Sequence, residues 1–387
     1  MWRRIGFRYT AFVVLVVSAC GGAGTTGTTV PQLGDPNPEL SAEMLAAFER
    51  GREVFVRRFV RAEGHGPDFN VNSCKACHEI PVVGGSAPLY RNFFLVGRIQ
   101  PNGSFQPAME GNQPVARTFS YVRTQRETIP SDTLVAQRSA PPIFGLGVFE
   151  RLSDAEIAAN SDPTDLDGDG ISGRTNIDGP LVGRFGYKSQ EGGLIDFVRG
   201  PFFNHMGITS DFPVIPPPGQ LSALAQVAPP PAPLTDNDGV PDPEISDEDL
   251  VDLVIFLREL APPAPLPMDD TERRGEALFF STGCAKCHVP NLKQAGEPAL
   301  AYTDLLVHDM GPELADGVVQ LLAQGNEFRT QPLWGVRHHA PFLHDGRAGT
   351  LDDAIRAHGG EAQSIRDAYA ALPQADRDAI VAFLETR

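Results

Sequence analysis

A chain of 387 residues is long enough for two or three cores, and its 41% hydrophobic content is that of a water-soluble globular protein. A net charge of −17 and a pI near 4.9 argue against nucleic acid as a partner, and 35 prolines with 39 glycines leave much of the chain to loops. Of five cysteines, four fall into two Cys-x-x-Cys-His motifs and the fifth is Cys20, so no pair remains for a structural disulfide.

The chain opens with basic residues, Arg3, Arg4 and Arg8, ahead of a short apolar run from Ala11 to Val17. Residues 1–19 therefore read as an export signal, too short to span a membrane as a mature helix. The run ends Val17-Ser18-Ala19-Cys20, which resembles the bacterial lipobox, in which the cysteine is diacylated and becomes the new N-terminus. Residues 20–40 are then a flexible tether, and the expectation is a lipid-anchored protein of the cell envelope, facing the periplasm and held at the membrane surface through Cys20.

Residues 41–262 form the first predicted unit. Ser41 is placed to cap an amphipathic helix, which leads to Cys74-Lys75-Ala76-Cys77-His78. Two thiols three positions apart reach the two vinyl groups of one porphyrin, and the adjacent imidazole is carried under the iron, so the motif predicts a covalently attached haem c. A redox dithiol or half a zinc knuckle is the competing reading, but a zinc knuckle wants a second ligand pair nearby. His65, between helix and motif, reads as a solvated loop histidine or a distal ligand. Phe93 to Val96 and Thr118 to Arg123 alternate as short strands do.

Farther on, Arg138-Ser-Ala-Pro-Pro-Ile-Phe-Gly is echoed by Arg329-Thr-Gln-Pro-Leu-Trp-Gly, the mark of an internal duplication. Glu150 follows the first copy, and a carboxylate there could move a proton between peroxide oxygens, or simply sit at the surface near a helix start. Asp165-Leu-Asp167-Gly-Asp169-Gly places hard oxygen ligands at alternate positions, as calcium requires, although position twelve is Asn176 rather than glutamate. An acidic solvated turn is the alternative, and Asp236-Asn-Asp238-Gly-Val-Pro-Asp242 is a weaker copy. His205 and Met206 are adjacent, and both residue types ligate iron. Ser246 caps a helix that stops at Pro262.

After a proline-rich boundary, residues 268–387 restart the pattern. Gly275-Glu-Ala-Leu-Phe parallels Gly51-Arg-Glu-Val-Phe, and Cys284-Ala285-Lys286-Cys287-His288 is the second haem motif. Trp334, in the second copy of the repeat, is either an electron relay between haems or a core residue. The expected fold is mainly α: two cytochrome-c-like helical domains, the first carrying a large loop-rich insertion.

Several stretches together resemble the bacterial dihaem c-type oxidoreductases, a family related to the dihaem cytochrome c peroxidases. They are the two haem motifs, Asp167-Gly-Asp-Gly-Ile-Ser-Gly-Arg-Thr-Asn, Tyr302-Thr-Asp-Leu-Leu-Val-His-Asp-Met-Gly and Phe342-Leu-His-Asp-Gly-Arg, and the similarity runs from Phe48 to the C-terminus. The resemblance implies one haem that stores an electron, another with an open or openable side where peroxide reacts, and a calcium ion between them. It also implies a sixth ligand for the C-terminal iron, and the corresponding position here is His358, giving a His288/His358 pair. The peroxidases carry a detachable histidine soon after the first motif, but residues 79–104 contain none. The N-terminal haem is thus five-coordinate or ligated from a distance by Met206 or His205.

The implied function is reduction of hydrogen peroxide, or another small oxidant, at the His78 haem. Electrons would arrive through the C-terminal haem from a small cytochrome, a cupredoxin or a quinol-linked donor. The alternatives are a dihaem electron-transfer cytochrome without peroxide chemistry and a maturase-like oxidant of another protein.

Overall fold

The computed structural model describes residues 30–109, 113–213, 234–294 and 297–387. The signal, Cys20, the start of the tether and the proline-rich run after Pro213 lie outside the described residues. Nine α-helices occur among them: α1 (Ala42–Val56), α2 (Leu146–Arg151), α3 (Asp154–Ala158), α4 (Leu194–Pro201), α5 (Asp247–Glu259), α6 (Asp270–Thr282), α7 (Leu351–Ala357), α8 (Gln363–Ala371) and α9 (Gln374–Glu385). None is long and apolar enough to cross a membrane.

Two helix pairs organise the chain, α1 on α5 and α6 on α9. The Ser41 hydroxyl accepts the Met44 amide at the start of α1, and Met44, Ala47, Phe48, Gly51, Val54 and Phe55 form its buried stripe. Ser246 caps α5 in the same way, ahead of Asp247, Glu248 and Asp249, whose charges suit a helix N-terminus. In both pairs a glycine sets the closest approach. A Cβ on Gly51 would lie 2.0 Å from the Asp252 carbonyl oxygen, and one on Gly275 would lie 1.9 Å from that of Ala379. Backbone meets backbone at these crossings, which is the physical content of the Gly51/Gly275 repeat.

The expectation of a mainly α protein fails. Helix accounts for only 34% of the structure and strand for 14%. Between Cys77 and α5 the described chain folds into small sheets and loops around the short helices α2, α3 and α4. Phe93–Ile99 lies between Phe105–Pro107 and Leu134–Arg138, with Leu95 opposite Ala136 and Ile99 opposite Phe105. Phe119–Ser120 pairs with Asp68–Phe69. Frequent proline and glycine interrupt the helical period here, so side chains satisfy backbone groups that a helix would have paired internally. Buried Asn176, for example, donates to the Lys188 and Gln320 carbonyls and accepts from Leu322.

The larger core gathers Phe48, Phe55, Phe149, Leu253 and Phe256, and it also includes Leu305, Leu306 and Trp334 from beyond the proline-rich boundary. A second core holds Phe279, Tyr302, Leu351, Ile380 and Phe383. Each fully buried ring contributes roughly 1.5–3 kcal/mol. The first core thus draws on both repeats, with Trp334 of the second stacked on Phe149 of α2.

Candidate haem sites

Each Cys-x-x-Cys-His motif closes in a short 3-10 turn. His78 N–H donates to the Cys74 carbonyl at 3.1 Å, and His288 N–H to that of Cys284 at 3.0 Å. All four thiols are unpaired. Burial pushes Cys74 and Cys284 up to about 12 and Cys77 to about 11, so these sulfurs are neutral thiols at pH 7. That is the wrong state for a reactive dithiol, which needs thiolate.

The imidazoles are prepared as ligands. His78 Nδ1 faces the carbonyl oxygens of Gly85 at 3.2 Å and Pro141 at 3.0 Å. His288 Nδ1 faces the Tyr302 carbonyl at 3.0 Å, and His358 Nδ1 that of Ala354 at 2.8 Å. A carbonyl can only accept, so in all three rings the proton sits on Nδ1 and Nε2 presents a lone pair. Burial lowers the basicity of His78 and His358 and drives His288 to about 4, keeping the rings neutral. Equivalent phenylalanines rest on the two motif histidines: Phe55 lies 6.3 Å from His78 at 51°, and Phe279 lies 6.4 Å from His288 at 55°.

The His288 and His358 rings face one another with centroids 6.5 Å apart. Two metal–imidazole bonds of about 2 Å, plus about 1 Å from each nitrogen to its ring centre, require about 6 Å. A cavity of about 220 Å³ lies between them, walled by Phe279, Leu333, Phe342, Leu351 and Ile380, with Cys284 and Cys287 at its edge. The donor set, their separation and the apolar walls fit a haem held by His288 and His358, with the thiols placed for attachment.

The remaining predicted residues fall as follows. Trp334 stacks on Phe149 at 5.1 Å and 13°, and a Cβ on Gly145 would meet its ring at 2.7 Å. The two copies of the Arg-x-x-Pro repeat thus touch at Trp334. Glu150, in α2, takes two hydrogen bonds from Arg258 of α5, at 2.6 and 2.8 Å, where the guanidinium is only 2% exposed. Asp165 and Asp167 come together, but Asp162 is their third partner. Asp169 turns instead to Lys286 of the second haem motif, at 3.1 Å. The weaker acidic copy brings Asp236 and Asp242 to Glu244.

His65 is neither a solvated loop residue nor a free ligand. It is fully buried, with Nδ1 on the Tyr121 hydroxyl at 3.1 Å and Nε2 on the Val71 carbonyl at 3.0 Å. Met206 is packed in the larger core. His205 is close enough to His78 that the two charges would repel.

Sequence reasoning gave no role to His308. It is buried between Asp304 at 2.9 Å and Glu361 at 3.0 Å, and it lies 3.8 Å from the Cys287 sulfur. Burial would lower its pKa, but its hydrogen bonds to Asp304, Cys287 and Glu361 prevail and raise it well above 6.5, so it is an imidazolium beside the second haem motif. Ser172, from the Asp167–Asn176 stretch, donates twice to Glu361, and this tie closes the acidic loop onto that motif. Nothing in local spacing signals a network whose members lie as far apart as positions 172 and 361.

Residues 107–387 match the family model described as "Di-haem oxidoreductase, putative peroxidase". Over 127 residues the chain is 29% identical to the methylamine utilization protein MauG of Methylorubrum extorquens, covering 30% of this chain and 33% of that protein's length. Among solved structures, the diheme peroxidase BthA of Burkholderia thailandensis is 16% identical, with 92% of this chain and 87% of that one covered and a TM-score of 0.43. A MauG-like protein associated with microbial copper homeostasis is also 16% identical, covering 92% and 94%, at the same TM-score of 0.43.

Proposed function

This chain belongs to the di-haem oxidoreductase family and is therefore a redox enzyme, and from that premise we propose that it reduces hydrogen peroxide at the His78 haem. The reaction consumes two electrons and two protons and yields two waters. The haems, attached through Cys74/Cys77 and Cys284/Cys287, supply the electron storage and the iron at which peroxide binds. The protein's own residues divide the labour between them.

The observation that carries this reading is an asymmetry. His288 has a second imidazole opposite it at axial-ligand spacing with its lone pair exposed, namely His358. His78 has no such partner among the described residues; the histidine nearest in character, His205, is held differently. On this reading His288 and His358 would together hold the C-terminal haem, which would supply the electron relay, and the haem held by His78 would keep a side for substrate. The Trp334–Phe149 stack is the proposed path between them. Electrons enter from a small cytochrome, a cupredoxin or a quinol-linked donor in the cell envelope, where a lipid on Cys20 holds the enzyme. Asp162, Asp165 and Asp167 would hold a calcium ion at the outer loop.

Low-temperature EPR of the ferric holoprotein tests the division directly. One high-spin and one low-spin haem, with peroxide turnover supported by a reduced donor, is the expected result. Two low-spin haems that stay so after one-electron reduction, with no turnover, would leave an electron-transfer cytochrome.

A further inference from the structure

We propose that His205 is a hydrogen-bond donor on the open side of the His78 haem, locked in the Nε2–H tautomer by Asn70, and that it selects for small ligands bearing an acceptor atom. The inference rests on the reading that the His78 haem has an open side, and it adds what lines that side and why His205 does not close it.

The argument starts from Asn70, whose amide orientation is fixed by its own partners. Its Oδ1 accepts the Thr118 N–H at 2.8 Å, and its Nδ2 donates to the Ala116 carbonyl at 3.1 Å. The second proton of that NH₂ points at His205 Nδ1, 3.4 Å away. A donor facing Nδ1 requires a lone pair there, so the neutral ring carries its proton on Nε2. This is the reverse of His78, His288 and His358, whose Nδ1 atoms all face carbonyls. A metal ligand needs the Nε2 lone pair, and His205 offers an N–H in its place.

The placement is equally constrained. His205 lies in a π-helical turn, Phe202–Met206, directly after α4; such turns are rare and concentrate at functional sites. Its carbonyl accepts the Asn70 amide at 2.7 Å, which fastens it to the segment running into Cys74. Phe93 meets the ring edge-on at 4.6 Å, and Arg117 grips the turn through the Phe203 and Asn204 carbonyls at 3.3 and 3.4 Å. Nε2 makes no hydrogen bond among the described residues. Burial and the neighbouring charges of Arg117 and His78 hold the ring near 4, hence neutral at pH 7. An oriented N–H favours an anionic or peroxide oxygen over an apolar diatomic, because the donor is aimed before the ligand arrives.

The test uses ferric holoprotein, fluoride as the probe and EPR as a readout independent of turnover, with the His288/His358 low-spin signal reporting that each variant is folded. Wild type is expected to show a high-spin N-terminal haem that binds fluoride. His205→Leu should stay high-spin and bind fluoride roughly 10- to 100-fold more weakly, whereas His205→Gln, which keeps an N–H donor, should recover most of the affinity. Asn70→Asp places a carboxylate against Nδ1, flips the tautomer and frees the Nε2 lone pair, so the N-terminal haem should become low-spin. Fluoride affinity unchanged in His205→Leu would overturn the proposal. So would a low-spin wild-type haem that turns high-spin on His205→Leu, since His205 would then be a ligand. Absence of peroxide turnover alongside the expected fluoride and spin-state results would remove the peroxidase reading and leave this inference standing.

Discussion

The Glu150–Arg258 pair separates a catalytic from an architectural carboxylate. Arg258 is 2% exposed and Glu150 19%, and their two hydrogen bonds, at 2.6 and 2.8 Å, join α2 to α5 beside the shared core. Glu150→Ala removes the carboxylate partner of a buried guanidinium, a change that costs about 3–5 kcal/mol. Glu150→Gln retains an acceptor and should cost less, about 1–3 kcal/mol. Replacing both residues with methionine removes the charge along with its partner and should recover much of the loss. Urea unfolding of the holoprotein, followed by far-ultraviolet circular dichroism at pH 7, measures all four states, and peroxide turnover below the transition measures what survives. If Glu150→Ala unfolds at the wild-type urea concentration while turnover falls more than about 100-fold, the pair is not structural and Glu150 acts on protons, at the usual scale of general acid–base catalysis.

His358→Ala should abolish the low-spin C-terminal EPR signal and leave the His78 haem unchanged; retention of that signal would show that another group holds the iron. Glu361 sits at about 2 against an ordinary 4.5: burial would raise it, but His308 and the donors on Ser172 and Asp309 lower it further. Its stabilisation is therefore present above about pH 4.5 and drains away as pH falls toward about 2, so Glu361→Gln should flatten the acid limb of a plot of urea midpoint against pH. His308 carries the opposite sign. Its raised pKa stabilises fully below 6.5 and is lost as pH climbs through the folded value, so His308→Gln should flatten the alkaline limb. Gly275→Ala forces a methyl group to within 1.9 Å of the Ala379 carbonyl oxygen. It should lower the midpoint by an amount equivalent to at least about 1–3 kcal/mol, read by the same unfolding assay.

What the sequence made legible was mostly what local spacing encodes. The haem motifs, the Ser41 and Ser246 caps and the glycines at the two helix crossings are each decided by residues within one or two turns of one another. The helical content was overestimated because the repeat drew attention to the two helix pairs, while the described residues between Cys77 and α5 hold only short helices and otherwise obey turn chemistry and strand pairing. The burial of His65 was invisible for the same reason: it is made by Tyr121 and Val71, and only the pairing of Asp68–Phe69 with Phe119–Ser120 brings Tyr121 near. The acidic loop was half legible. Asp165 and Asp167 do converge, but the sharp turn presents Asp162 as their third member and sends Asp169 to Lys286.

The division between the two haem sites is finer than either motif, because both motifs are the same. Each delivers a histidine whose Nδ1 is capped by a backbone carbonyl, so each would offer one Nε2 lone pair to iron. The difference lies in what stands across from it. His358 caps the C-terminus of α7, where the Ala354 carbonyl, left without a partner by the end of the helix, takes the Nδ1 proton. A helix terminus thus manufactures a ligand. His205 stands in a π-turn where an asparagine amide, itself fixed by two backbone groups, donates to Nδ1 and leaves the proton on Nε2. Under the proposed division, the same side chain would close one iron and leave the other open, according to whether a carbonyl or an amide faces its far nitrogen. On that account a single substitution at Asn70 should convert the proposed peroxide site into a second electron store, without altering either haem motif.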